Sequence, residues 1–163
     1  MRIVVLVGLP GSGKSTYLER LGVAGLSSDA IRQLLADDIG DQSIHRRVFA
    51  TLRYLLRQRL AIGRPVTYVD ATNLTPRERR PYLAIGAAFD CAVEALYFDA
   101  PLVVCQERNA RRPRVVPADA LVKMQKRLVA PSRSEGFARV TRVSHLDPLP
   151  VRPAAGPGPA FRR

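Results

Sequence analysis

A glycine-rich segment between an apolar run and a helical pattern constrains this chain more than any other feature. Residues 8–15 read GLPGSGKS and fit the pattern G-x-x-x-x-G-K-[ST], directly after the apolar residues 3–7. The glycines allow the backbone to wrap around a phosphate with its N–H groups pointing inward, and a following helix N-terminus adds a favourable dipole. The segment therefore predicts a phosphate-binding loop at the carboxyl end of a buried strand.

The same segment suggests roles for individual side chains. Lys14, expected to face solvent, would reach the β- and γ-phosphates of a nucleoside triphosphate, and Ser15 would ligate a metal ion. The cofactors predicted are ATP, as phosphoryl donor, and Mg²⁺. The nucleotide-binding residues predicted from the segment are Gly8, Pro10, Gly11, Ser12, Gly13, Lys14, Ser15 and Thr16. The sequence lacks the N-K-x-D element of guanine-specific switch proteins.

Apolar segments alternate with helical patterns along the chain. Strands are predicted at 2–7, 25–27, 65–70, 91–98 and 139–144. Helices are predicted at 14–21, 29–36, 43–62, 76–89, 101–111 and 117–129. Pro81 implies that the fourth helix either kinks or starts late. This alternation is typical of βαβ units and predicts an α/β fold, a parallel sheet of about five strands with helices on both faces.

The length of 163 residues suits one domain, which we expect to span residues 1–146. Residues 147–163 hold five prolines and two glycines, so we expect a disordered tail there. The N-terminal apolar run is too short for a signal peptide, and no stretch approaches the roughly 18 apolar residues of a membrane helix. A cytoplasmic protein without membrane contact is therefore expected. Cys91 and Cys105 are predicted to be reduced thiols of the core.

The charge balance favours anionic partners. Lys and Arg total 26 against 14 Asp and Glu, which gives a net charge of +12. Residues 43–69 carry six arginines and no acid, and residues 108–142 carry ten basic residues against two acids. One such run usually marks a solvated helix face. Two of them in a small chain favour a phosphate-rich ligand about as strongly as they favour solvated helix faces.

Two groups of polar residues are placed to act on an acceptor. Asp29 and Arg32 lie three residues apart at the start of a predicted helix, where the carboxylate can accept a hydroxyl proton and the arginine can hold a phosphate. The alternative is a simple ion pair that stabilises the helix. Asp70, Thr72 and Asn73 follow a predicted strand, where side chains face the ligand crevice of an open α/β sheet; the alternative is an Asx turn.

At the level of whole motifs the chain resembles a known family. The segments GLPGSGKST, SSDAIR, VDATNLTPRERR, YFDAP, CQERNARRPRVVP and PSRSEGFARV are similar to those of the polynucleotide 5′-kinase group of P-loop phosphotransferases. The resemblance covers residues 3–144 and implies a P-loop kinase fold with an arginine-bearing lid. It implies that Asp29 is the general base and that Arg32 holds the terminal phosphate of the acceptor. It also implies that Arg108 and Arg112 clamp the donor phosphates from the lid.

The sequence thus predicts an ATP-dependent kinase that transfers the γ-phosphoryl group to 5′-hydroxyl ends of RNA or DNA. The predicted catalytic residues are Lys14, Asp29, Arg108 and Arg112. Predicted acceptor contacts come from Asp29, Arg32, Asp70, Thr72 and Asn73. Two alternatives stay open: a kinase of a small molecule such as a nucleoside, sugar or antibiotic, and a non-catalytic adaptor gated by nucleotide. Asp29 argues against the adaptor, because a binder of anions gains nothing from a carboxylate there.

Overall fold

The fold is centred on one parallel sheet, in a computed structural model that describes residues 1–112, 114–144 and 146. Its strands are β1 (Arg2–Val7), β2 (Leu26–Ser27), β3 (Val66–Asp70), β4 (Ala92–Asp99) and β5 (Arg139–Ser144). The order across the sheet is β2-β3-β1-β4-β5, and every neighbouring pair is parallel. The predicted five-stranded parallel α/β fold is confirmed, and β1 lies at its centre.

In the described residues, six α-helices connect these strands, as the sequence predicts. They are α1 (Lys14–Leu21), α2 (Ser28–Ala36), α3 (His45–Ala61), α4 (Pro76–Ala88), α5 (Leu102–Asn109) and α6 (Ala118–Arg127). The side chains of Ser27 and Thr75 cap α2 and α4 by accepting backbone N–H groups three residues further on. Helix α4 begins at Pro76 and continues through Pro81, so of the two predicted alternatives, a kink or a late start, the late start is not observed. Helix α5 ends two residues before its predicted end.

The alternating side chains of β1 serve two apolar layers. Ile3, Val5 and Val7 pack with the buried faces of α3 and α4, whereas Val4 and Leu6 pack with Leu18 of α1 on the opposite face. Helices therefore cover both faces of the sheet, which explains why β1 is a continuous apolar run. Both cysteines are reduced and buried, as expected.

Helix α3 runs antiparallel to the strands, and this direction separates its arginines. Its first residue, His45, lies at the carboxyl edge of the sheet, where it lines a cavity. Near the other end, Arg59 donates to the Thr67 side chain and to the Val66 carbonyl at the start of β3. At 1.5 Å per residue the two ends are separated by about 20 Å. The basic run 43–69 is therefore not one surface, because half of it lies far from the cavity.

Arg79 of α4 cross-links the segments around the end of β3. This fully buried side chain donates to both oxygens of Glu135, at 2.9 and 2.6 Å. It also donates to the carbonyls of Asn73, Leu74 and Val129 at 3.0–3.1 Å. A buried guanidinium with this many partners is a structural element of the fold.

The predicted tail at 147–163 lies outside the described residues, and the division into domain and tail stays a prediction. Within the described part of the chain, no helix has the length and apolar character needed to cross a membrane.

Candidate active site

A cavity of about 540 Å³ opens at the carboxyl edge of the sheet, where the loops after the strands meet. Its wall contains most of the residues predicted from sequence. They are Pro10, Gly11, Ser12, Gly13, Lys14, Ser15, Thr16, Asp29, Arg32, Asp70, Thr72, Arg108 and Arg112. Of the predicted residues, all of them in the described part of the chain, only Gly8 and Asn73 do not line it.

The glycine-rich loop between β1 and α1 has the backbone that its sequence predicts. Gly11 and Gly13 adopt left-handed conformations, with φ of 80° and 103°, which residues with a Cβ rarely adopt. A Cβ at Gly11 would also overlap the carbonyl oxygen of Cys105 in α5. Only glycine allows the loop to pack its backbone directly against α5, and this contact fixes the loop relative to the helix that carries Arg108.

Lys14 does not face solvent, contrary to the sequence-based expectation. Its side chain is 8% exposed and its Nζ donates to the carbonyls of Gly8 and Leu9, at 2.8 and 2.7 Å. The loop wraps around the ammonium group, and these two hydrogen bonds stabilise its conformation. Burial lowers the pKa of Lys14 to about 8, and Asp70 opposes this effect in part. The group is therefore charged at neutral pH and close to its titration range.

Ser15 and Asp70 place two oxygen ligands beside the loop. The Ser15 hydroxyl donates to Asp70 Oδ2 over 3.0 Å, which joins the start of α1 to the end of β3. Burial raises the pKa of Asp70, while Lys14 and the hydrogen bond from Ser15 lower it. A hydroxyl and a carboxylate with further positions open suit Mg²⁺, which is bound by few protein oxygens and completes its shell with phosphate and water. These residues therefore fit a magnesium ion.

Asp29, in the first turn of α2, is contacted by three arginines. Arg114 donates to its Oδ1 at 2.9 Å and Arg32 at 3.2 Å, while Arg112 lies 3.5 Å from Oδ2. Two of these arginines come from the segment after α5, about 80 residues away along the chain. The predicted base, Asp29, is therefore in contact with arginines of the lid segment. In this arrangement the arginines of the lid cover the carboxylate.

Arg32 is buried at the cavity wall and only partly paired. It is 3% exposed, yet its Nε has no hydrogen-bond partner among the described residues, and its contact with Asp29 uses Nη1. Burial lowers the pKa of Arg32, although Asp29 opposes the shift. A buried guanidinium with an unpaired donor at a cavity wall is prepared to bind an anion there.

The segment after α5 forms the lid. The amide of Asn109 donates to the carbonyl of Val116 at 2.8 Å and accepts its N–H at 3.1 Å, which closes the loop between them. Arg108 lies over the start of α1, with Nη1 3.7 Å from the Cβ position of Gly13. Arg114 was not among the residues predicted from sequence. The run Arg-Arg-Pro-Arg at 111–114 carried a signal for it, but the predicted lid stopped at Arg112.

Thr72 and Asn73 support the loop in different ways. Thr72 lines the cavity, and its carbonyl accepts the N–H of Gly8 at 3.0 Å. Asn73 is buried with a left-handed φ of 49°, and its amide donates to the carbonyl of Leu6 at 2.7 Å. Asn73 thus ties the ends of β1 and β3 together. Its side chain does not reach the cavity, and the predicted acceptor contact of Asn73 has no geometric support.

Charge is distributed unevenly over the cavity wall. Among the described residues, five side chains of the wall are cationic and two are carboxylates, Asp29 and Asp70. The cations are Lys14, Arg32, Arg108, Arg112 and Arg114. Such an excess at the end of a helix suits a polyanion whose charge moves during reaction.

A family comparison agrees with this geometry. The family described as AAA domain matches residues 3–131, which include the loop, both strands beside it and the whole lid. The chain belongs to this AAA domain family. Membership accounts for the nucleotide-binding loop and its position after the central strand. It does not identify the acceptor.

Solved structures with the same fold differ in their acceptors. A sugar kinase from Janibacter sp. is 20% identical over 91% of this chain and 87% of its own, with a TM-score of 0.63. APS kinase CysC from Mycobacterium tuberculosis, in complex with AMPPNP and APS, is 17% identical over 91% and 90%, with a TM-score of 0.56. A chain of the Pnkp1/Rnl/Hen1 RNA repair complex is 22% identical over 78% of this chain and 43% of its own, with a TM-score of 0.63. These similarities establish the P-loop kinase fold.

Proposed function

We propose that this protein is an ATP-dependent kinase that phosphorylates 5′-hydroxyl ends of RNA or DNA. The observation that carries the proposal is the Asp29 cluster, in which a possible base for a hydroxyl lies within 3.5 Å of three arginines. A hydroxyl next to phosphates requires a carboxylate inside a cationic pocket. A neutral acceptor requires the carboxylate and the arginines that bind the donor, but it does not require Arg32.

The donor would bind over the loop between β1 and α1. The N-terminus of α1, which begins at Lys14, would face the donor phosphates together with backbone N–H groups of the preceding loop. Lys14 stands below them, and Arg108 lies above the start of the helix. Ser15, with Asp70 beside it, would hold Mg²⁺, which supplies charge neutralisation for the phosphates when bound.

The acceptor would enter from the side of α2. Asp29 would accept the proton of the attacking hydroxyl, and the guanidinium of Arg32, whose Nε is unpaired, would hold the phosphate on the 3′ side of the reacting sugar. Before this can happen, Arg112 and Arg114 must leave Asp29. Donor phosphates would attract both arginines, so binding of the donor would free the base.

The chain as a whole also suits a nucleic acid. Its net charge is +12, and Arg46 and Arg47 follow His45 directly at the cavity end of α3, where both are exposed. These two arginines could continue the contact with a strand beyond its first nucleotide. Arg57 and Arg64 are at the opposite end of the helix and are not part of this surface. A cytoplasmic location belongs to the same proposal.

The second candidate is a kinase of a small molecule. It is favoured by the size of the cavity, which suits one compact ligand besides a nucleotide, and by the sugar kinase and APS kinase among proteins of the same fold. It would use the same donor residues and the same base. The difference is in the acceptor, because a neutral sugar offers no anion to the guanidinium of Arg32.

Transfer of label from γ-labelled ATP tests the proposal. Single-stranded RNA and DNA with a 5′-hydroxyl end are compared with nucleosides, sugars and aminoglycosides, with and without a chelator of Mg²⁺. We expect label at the 5′ end of the oligonucleotides, and none when that end already carries a phosphate. Asp29→Asn is the matched control, since it keeps shape at the base. Label on a sugar or antibiotic, with none on either oligonucleotide, would establish the second candidate instead.

A further inference from the structure

Two aromatic rings line the cavity on the side of α2. His45 and Phe49 lie one turn apart on α3, with their ring centroids 4.7 Å apart and their planes at 43°. Phe49 is half-buried against the apolar core, whereas the His45 ring is exposed in front of it. The pair therefore presents the His45 ring to the cavity, tilted against a Phe49 ring that packs on the core.

The order of strands in the sheet places this pair at the acceptor end. The phosphate loop follows the central strand β1, and Arg108 comes from the segment after β4 on one side. Asp29 and Arg32 come from α2, which follows the edge strand β2 on the other side, and α2 packs against α3. Arg32 and His45 both line the cavity, and burial together with the positive charge of Arg32 lowers the pKa of the imidazole. A ligand group that contacts His45 and Phe49 is thus on the same side of the cavity as Arg32, away from the donor site near Arg108.

We infer that His45, supported by Phe49, is a stacking platform for the base of the acceptor's 5′-terminal nucleotide, and that it makes the enzyme prefer a base-bearing end over a bare sugar phosphate. This inference rests on the proposed function and specifies the acceptor of that same site. A neutral imidazole and a phenyl ring offer π-faces to any base, so the platform reads the presence of a base and not its identity.

An alternative role for the two rings is purely structural. Side chains four residues apart on a helix often contact each other, and such a pair stabilises a helix slightly without any ligand. A structural pair would affect all acceptors equally when removed. A platform would affect only acceptors that carry a base, so the two roles give different results when matched acceptors are compared.

The test uses two single-stranded oligonucleotides that have the same length, the same phosphates and a 5′-hydroxyl end. One carries adenine at the first nucleotide, and the other has an abasic first nucleotide. Stacking of one base on an aromatic side chain corresponds to about 5- to 150-fold in kcat/KM. We expect the full-length protein to prefer the first oligonucleotide within this range. His45→Ala should remove most of the preference by lowering kcat/KM for the adenine end alone, and His45→Phe should retain it.

The KM for ATP and the melting temperature should stay unchanged in both variants, because His45 is exposed and lies away from the donor loop. A third variant, Phe49→Leu, keeps apolar volume but removes the ring that contacts His45, and we expect a partial loss of preference. Equal rates on both oligonucleotides in the parent protein, or an equal decrease on both in His45→Ala, would overturn the platform while leaving the proposed kinase intact. Absence of transfer to either oligonucleotide would reject the kinase proposal itself, and the platform with it.

Discussion

Arg79 and Arg32 are both buried arginines that contact a carboxylate, but their surroundings differ. Arg79 uses Nε, Nη1 and Nη2, with Glu135 and three backbone carbonyls as its partners. Arg32 shares Asp29 with two further arginines and keeps an unpaired Nε. The first arrangement is complete without a ligand, whereas the second has more positive charge than its single carboxylate can balance. Burial alone therefore does not distinguish a structural arginine from a binding arginine, and the count of partners does.

Asp29→Asn should produce the largest loss of activity, because it removes the carboxylate that we propose as the base for the acceptor hydroxyl. General base catalysis contributes about 10²–10⁴-fold, so kcat at saturating acceptor should fall by that factor. Binding of ATP should change little, since the donor loop is built from other residues. Steady-state kinetics and a nucleotide titration measure the two effects. A kcat within tenfold of the parent enzyme would remove Asp29 from the role of base.

Substituting Arg79 and Arg32 by the same residue should distinguish the structural role of the first from the binding role of the second. Arg79→Met leaves Glu135 without its buried partner and should reduce the free energy of unfolding by about 3–5 kcal/mol. In a chain of this size that corresponds to a decrease in melting temperature of roughly 6–20 °C. Arg32→Met should be close to neutral in stability, because Asp29 keeps Arg112 and Arg114. Calorimetry of both variants is the measurement, and equal destabilisation would contradict the distinction.

Arg32→Gln should weaken binding of the acceptor, and the loss should depend on whether the acceptor carries a phosphate. A hydrogen bond to a charged group contributes about 1.5–3 kcal/mol, so kcat/KM for a nucleoside 3′-monophosphate should fall about 10- to 150-fold. A nucleoside without phosphate should be affected much less. The ratio of the two rates is the readout. If both acceptors lose equally, Arg32 does not hold the phosphate.

The buried ammonium group of Lys14 should make donor binding depend on pH. Its pKa of about 8 means that the ligand-free protein loses this proton above pH 8, whereas donor phosphates favour the charged form. Binding above pH 8 therefore requires proton uptake, and the Kd for ATP should rise by at most about tenfold per pH unit. Below pH 8 the Kd should be constant. Calorimetric titration from pH 7 to 9.5 measures this.

The stability of the ligand-free protein should increase with pH over the range in which ATP binding weakens. The folded pKa of Lys14 lies below its ordinary value of 10.5, so the unfolded state binds the proton more tightly. The contribution of this group to the free energy of unfolding should consequently rise between pH 8 and 10.5. Lys14→Met keeps most of the aliphatic stem and lacks the titrating group, and both pH effects should disappear in it. If the variant retains them, another group is responsible.

Contacts that are local in the sequence could be predicted, and contacts across the chain could not. The loop 8–15 is contiguous, and Ser27 and Thr75 cap helices that start directly after them, so their roles follow from a few neighbouring residues. The contact of Arg114 with Asp29 spans 85 residues and depends on how the lid folds over α2. Nothing in the local sequence determines that distance.

Two side chains near the loop show a further limit. The motif places Lys14 at the phosphates, but its hydrogen bonds to Gly8 and Leu9 depend on how tightly the loop curls. Asn73 was predicted at the crevice because it follows β3, and its left-handed backbone turns the side chain towards Leu6 instead. A residue's position after a strand predicts the edge of the sheet at which it lies, but not the direction in which its side chain points.

The central claim is that the cationic cavity serves a nucleic acid, and the dependence of kcat/KM on acceptor length and salt tests it most directly. Acceptors are 5′-hydroxyl single strands of one to eight nucleotides. We expect kcat/KM to rise over the first few nucleotides and to fall with salt, with a log-log slope of about −0.7 for each phosphate contacted. Arg46→Ala with Arg47→Ala should reduce the gain with length, and Arg57→Ala with Arg64→Ala, at the far end of α3, is the matched control. A rate that is independent of both length and salt would contradict the claim and favour a small-molecule acceptor.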